Sequence, residues 1–181
     1  MNGLMNGVYI GIVANNTLDD KAKIEIQLPD VMGDVVVHAR IATLLAGDQY
    51  GCFFLPEIND LVLVAFEKGC GDDPVIIGSI LSTKDQAPDA NSNGENNLKV
   101  IKTRGGNEIR FVDEKGKEKI EITNDESKII IERAGKKITI DSPDGEILIT
   151  GKTVTISATE TINIKADGNT TIKGKLVDIN P

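Results

Sequence analysis

Tryptophan is absent from this chain, and aromatic residues make up only 3% of it. That leaves little with which to stack a sugar ring or a nucleobase, so carbohydrate-processing clefts and nucleic-acid stacking platforms are poorly supported from the start. Two cysteines, Cys52 and Cys70, are too few for a disulfide framework, and their spacing fits no zinc motif. One histidine, His38, stands in the alternating run 35–41 with no Asp or Cys inside that run, which reads as a surface or structural residue rather than a catalytic one. No apolar run is long enough to span a bilayer, and residues 1–11 lack the basic stretch followed by an apolar core that marks a secretion signal. Positive charge is also scarce in the front half. Residues 1–85 hold 5 Lys and Arg against 12 Asp and Glu, whereas residues 86–181 hold 15 against 16. An acidic front half is unsuited to a phosphate backbone.

What the sequence does have is a ladder of apolar pairs written x-I-x-I through its last third. The pairs are Ile109/Phe111, Ile120/Ile122, Ile129/Ile131, Ile138/Ile140, Ile147/Ile149, Val154/Ile156, Ile162/Ile164, Thr170/Ile172 and Val177/Ile179. After a first step of eleven, successive pairs are seven to nine residues apart. Within a pair the two side chains leave the same face of a short strand. Turn formers such as Asn124-Asp125, Ala134-Gly135, Pro143-Asp144-Gly145 and Asp167-Gly168-Asn169 separate the pairs. A period of about eight with one strand and one turn per repeat predicts a solenoid.

Eight residues supply one strand and one corner, too little for a single chain to circle a core. Three chains winding together solve the problem, each giving one face per repeat, with each strand's neighbours drawn from the other two chains. The predicted core of this trimer is Ile120, Ile122, Ile129, Ile131, Ile138, Ile140, Ile147, Ile149, Val154, Ile156, Ile162, Ile164, Ile172, Val177 and Ile179. At roughly 4.8 Å per strand step the rod would be on the order of 40 Å long. A plain antiparallel meander with one wet face is the competing reading. Against it stands the scarcity of two-residue Asn-Gly turns at the corners.

Upstream, residues 8–13, 23–28, 35–41, 61–66 and 75–80 have strand character. Five strands in about eighty residues, with no amphipathic helix, predict a small closed barrel of the OB type. Residues 42–51 read as a helical turn or a long loop. The expected organisation is an OB collar over residues 1–83, a polar linker over 84–97 and a spike over 98–181.

Several motifs fail on inspection. Asp89-x-Asn91-x-Asn93-Gly94 begins like a calcium loop but has Val100 at its twelfth position and no flanking helices. Gly69-Cys70-Gly71 lacks the lysine and helix of a phosphate loop. Glu121, Glu132 and Asp141 could be imagined as glycosidase carboxylates, yet they stand among lysines at outer positions. No catalytic, cofactor or metal-binding residues are predicted.

Two stretches carry a resemblance. One is Gly51-Cys52-Phe53-Phe54-Leu55-Pro56-Glu57-Ile58-Asn59-Asp60 running into Leu61–Phe66, with Asp73-Pro74-Val75-Ile76-Ile77-Gly78-Ser79 after it. The other is Thr103-Arg104-Gly105-Gly106-Asn107-Glu108-Ile109-Arg110-Phe111 and its continuation to Ile120. Together they resemble the spike proteins of contractile injection systems, a family that includes phage baseplate assembly protein V, the T4-type cell-puncturing spike and the VgrG proteins of type VI secretion. The resemblance implies a homotrimer with an OB collar and a triple-stranded β-helix, not an enzyme, seated at the centre of a baseplate and driven through a membrane by sheath contraction. It implies a short form without the hub or lysozyme domains, so a separate hub protein would meet the OB side. The His-x-His iron site of some short spikes is missing too. The end at Val177-Asp178-Ile179-Asn180-Pro181 would then take a PAAR-like tip protein, with effector cargo as a further possible passenger. Such a chain would be made in the bacterial cytoplasm and assembled into a phage tail or injection particle. The competing functions are a β-helical tailspike acting on carbohydrate, which predicts clustered carboxylates with aromatics, and a single-strand-binding OB domain, which predicts a basic groove.

Overall fold

The computed structural model describes residues 5–83 and 85–179; the first four residues of the expected collar, position 84, the expected first residue of the linker, and the last two residues of the expected spike lie outside the described residues. Five strands close into a barrel in the order β1-β2-β3-β7-β6: β1 (Val8–Asn15), β2 (Lys23–Leu28), β3 (Gly33–Ile41), β6 (Leu61–Phe66) and β7 (Pro74–Ile80). These are the five expected segments, each extended by no more than two residues. Strict alternation makes them strands. In β2 and β6 every second residue is buried and the ones between are partly exposed. Val13, Ile24, Ile26, Leu28, Ala39, Val62, Val64, Phe66 and Ile76 fill the interior, joined by Met5, whose N–H donates to the Gly69 carbonyl at 3.0 Å.

Two connections differ from expectation. The barrel does contain a short helix, α1 (Pro29–Met32), with Pro29 in its first turn, where a missing N–H costs nothing. Residues 42–51 form neither a helical turn nor a plain loop but a small hairpin of β4 (Ala46–Gly47) and β5 (Tyr50–Gly51).

The second sheet has five antiparallel strands in simple sequence order: β8 (Leu98–Lys102), β9 (Glu108–Val112), β10 (Lys119–Thr123), β11 (Lys128–Glu132) and β12 (Lys137–Asp141). Here the expectation that every strand's neighbours belong to other chains does not hold, because these five pair with one another within the chain. The reason lies in the connections. Each of the four hairpins turns through four to six residues and carries one residue in the left-handed region: Gly106, Gly116, Asp125 and Lys136. Longer loops built this way close antiparallel hairpins as well as an Asn-Gly pair does. Beyond Asp141 the chain changes character. After a turn in which Gly145 N–H donates to the Ser142 carbonyl at 3.2 Å, residues 146–179 form no ladder within the chain. No helix among the described residues is long and apolar enough to cross a membrane.

Candidate functional site

Register decides which side chains share a face. In an antiparallel sheet, residues directly opposite each other project to the same side. Following the pairs across β8 to β12 gives two columns on one face. The first is Lys99, Phe111, Ile120, Ile131 and Ile138; the second is Ile101, Ile109, Ile122, Ile129 and Ile140. Nine of these ten residues are large and apolar, and all nine are exposed in the single chain, with Ile138 at 69% and Ile140 at 58%. The barrel's burial pattern is thus inverted here: in β10 the isoleucines are open to solvent while Lys119, Glu121 and Thr123 are partly covered. A contiguous apolar face of this kind marks an interaction surface.

The opposite face is a lattice of charges. Lys102 lies across from Glu108, Arg110 from Glu121, Lys119 from Glu132, Glu132 from Lys137, and Lys128 from Asp141. Every such cross-strand pair joins opposite signs, which favours this register over a slipped one. Ion pairs tighten it: Lys119 Nζ to Glu121 Oε1 at 2.8 Å, Lys128 Nζ to Asp141 Oδ2 at 3.1 Å, and Glu108 held between Lys102 and Arg110. Glu108 is 5% exposed, and its contact with the Lys102 ammonium holds its carboxyl below the usual carboxylate range, against the opposing effect of burial. Glu132 and Asp141 therefore face lysines across a strand, and Glu121 faces Arg110 and pairs with Lys119 on its own strand, so the three do not form a converging carboxylate pair.

The sequence-predicted core residues fall into two groups. Ile120, Ile122, Ile129, Ile131, Ile138 and Ile140 come together on the apolar face. Ile147, Ile149, Val154, Ile156, Ile162, Ile164, Ile172, Val177 and Ile179 lie along the extended segment after β12, exposed and without in-chain strand partners. Along the second column runs a concavity of about 700 Å³, flanked by Phe54 from the barrel and by Ile147 past β12.

Sequence reasoning missed three features. His38 Nδ1 lies 3.2 Å from Asp19 Oδ2, nineteen residues away along the chain. The pair holds a barrel turn; the other carboxylate oxygen, Asp19 Oδ1, accepts from the Lys21 and Lys23 N–H groups. Arg104 Nη1 reaches Glu57 Oε2 at 3.0 Å, tying the β8–β9 turn to the barrel. Tyr50, Phe53 and Phe54 form an exposed aromatic group on the β3–β6 connection, with Phe53 at 73% and Phe54 at 70%. Clustering of aromatics over residues 50–54 was the available signal. No Lys or Arg occurs between residues 41 and 67, so this group lacks the basic setting of a single-strand-binding surface. The calcium-like stretch is a self-contained turn, in which Asp89 accepts from Asn91 N–H and Asn91 Oδ1 from Asn96 N–H at 2.7 Å. Among the described residues no three His, Cys, Asp or Glu side chains are grouped to hold a metal.

Comparison with known proteins follows the same division of the molecule. Residues 9–81, the barrel, match the family described as Type VI secretion system/phage-baseplate injector OB domain. The type VI secretion system spike protein VgrG1c of Pseudomonas aeruginosa is 32% identical over 106 aligned residues, covering 49% of this chain and 14% of that protein. The spike protein VgrG3 of Vibrio cholerae is 34% identical over 86 residues, covering 45% of this chain and 8% of that protein. The chain thus spans a small fraction of the length of the curated relatives it matches. Its barrel matches an injector OB domain, and these matches make the chain similar to spike proteins of the VgrG kind.

Proposed function

We propose that this protein is the central spike of a contractile injection machine, acting as a rigid homotrimer rather than as an enzyme. The observation that carries the reading is the bare apolar face of β8–β12, continued by an extended segment that has isoleucines but no strand partners of its own. Burying one such side chain is worth roughly 1.5–3 kcal/mol, and backbone N–H and C=O groups withdrawn from water need hydrogen-bond partners. Two further copies of the chain supply both. The barrels form a collar, the isoleucines turn toward a common axis, and the charge lattice faces water.

Its work is mechanical: stacked isoleucine layers resist axial load while a contracting sheath drives the rod through a target membrane. A hub protein would meet the barrel side, a PAAR-like tip would seat on the C-terminal end, and effector cargo would ride with them; no nucleic acid is involved. The chain would assemble into a phage tail, a type VI system or an extracellular particle. A carbohydrate-acting tailspike is disfavoured, since the sheet offers a single aromatic ring, Phe111, on its apolar face, and its carboxylates face lysines and an arginine. Light scattering after size exclusion tests the reading. Three chains of 19.4 kDa make about 58 kDa, and this species should persist through heating and detergent; a monodisperse single chain would overturn it.

A further inference from the structure

The apolar face has two unlike columns, and their difference carries information about how copies meet. The second column is isoleucine throughout and borders the 700 Å³ concavity that runs past all five strands, from Phe54 to Ile147. The first holds the only aromatic ring of the sheet, Phe111, and one cation, Lys99, at the β8 end. Both columns repeat at the inter-strand spacing, about 4.8 Å, so a partner that fills the groove along its length must carry apolar side chains at that same spacing. The other column of a second copy does so.

We propose that the groove beside the Ile101–Ile140 column of one protomer receives the Phe111–Ile138 column of the next, so that the three copies close head to tail around the axis. The proposal rests on the homotrimeric reading above and specifies its contacts. Rotation by a third of a turn brings the end of one wall against the beginning of its neighbour, which is a heterologous contact that closes into a ring. Residues of equal number then share one height, so Ile140 of one copy lies beside Ile138 of the next, and Ile129 beside Ile131. Lys99 fits this arrangement. It stands on the terminal strand, and its ammonium is already drawn to the rim by Asp113 Oδ2 at 2.8 Å and the Asn96 carbonyl at 2.7 Å. Phe54 at the collar end and Ile147 beyond β12 would border the seam at its two ends.

Disulfide trapping tests this in full-length protein with Cys52→Ala and Cys70→Ala as background. Within one chain the two positions of a pair are adjacent on one strand. In the Ile138→Cys/Ile140→Cys variant, mild oxidation should convert most of the protein to a covalent three-chain species on a non-reducing gel. Ile140→Cys alone should stay single-chain on that gel while remaining trimeric in solution. Ile129→Cys/Ile131→Cys, one strand away, repeats the test should the first pair fold poorly. If Ile140→Cys alone links into dimers, the column meets itself and the proposal is wrong. It is equally wrong if the background protein is trimeric by light scattering and neither double variant links. A background protein that is monomeric by light scattering instead removes the trimer on which the proposal stands.

Discussion

The two halves of this chain are both built from alternating strands, yet they use alternation for opposite ends. In the barrel the apolar side of each strand is turned inward and finished within one molecule: every buried apolar residue among those described lies between Met5 and Ile76. In β8–β12 the apolar side is equally regular but left open, and the charged side is the one that is internally complete. The lesson is that a regular pattern fixes which side chains go together, while chain closure fixes whether one molecule is enough to cover them. The barrel closes on itself. The sheet has two free edges and a bare face.

The sharpest way to break this contrast is to place a charge in each half. Ile140→Asp should abolish the trimer, since three carboxylates would be forced into an apolar axis, while the barrel stays folded. Size exclusion together with amide NMR of the barrel checks both statements, and a stable Ile140→Asp trimer would show that the face does not point inward. Truncations are milder and separate the halves by concentration dependence. Ile26→Ala should cost about 2–5 kcal/mol by cavity formation, and the loss read from urea unfolding of the barrel should not change with protein concentration. Ile129→Ala should lower the rod's melting temperature, and that temperature should itself fall as the protein is diluted, because the burial belongs to assembly. Concentration-independent melting of the rod would equate the two halves after all.

A smaller effect sharpens the comparison at the hairpins. Lys136 holds a left-handed conformation at φ 48°, which glycine adopts without strain. Lys136→Gly should therefore stabilise the β11–β12 hairpin by up to about 1 kcal/mol, seen as slower amide exchange in β12. The smallest effect is on pH. Glu108 has a depressed pKa in the fold, set first by Lys102. Its contribution is thus present above the ordinary glutamate range near ~4.3 and is lost as pH falls through the lower folded value. Acid titration of stability should show a shallower loss below that range for Glu108→Gln than for the wild type.

Much of this was legible in the residues. The barrel strands could be placed within two residues because runs such as Lys23–Leu28 and Leu61–Phe66 alternate without interruption. The grouping of Ile120, Ile122, Ile129, Ile131, Ile138 and Ile140 on one face followed from their two-residue spacing. What the pattern could not specify was strand partnership over β8–β12. Deciding between an in-chain hairpin and an inter-chain neighbour depends on the turn backbone, and Asp125 and Lys136 take left-handed conformations that their residue types only weakly announce. The His38–Asp19 and Arg104–Glu57 contacts were hidden for a simpler reason: each joins residues far apart in sequence, and only barrel closure and the placement of β8 bring them together.

Lys99 has one more consequence. On the packing proposed above, sliding one copy along the axis by a single strand would carry that ammonium, still paired with its own Asp113, off the rim and against a neighbour's isoleucines. Drawing an ion pair out of water against an apolar column carries a desolvation penalty that its end position avoids. A column of isoleucines by itself cannot tell one rung from the next. The lysine acts as a key that fits the lock in one axial position, so that three chains of identical, repetitive sequence start their rod from the same rung.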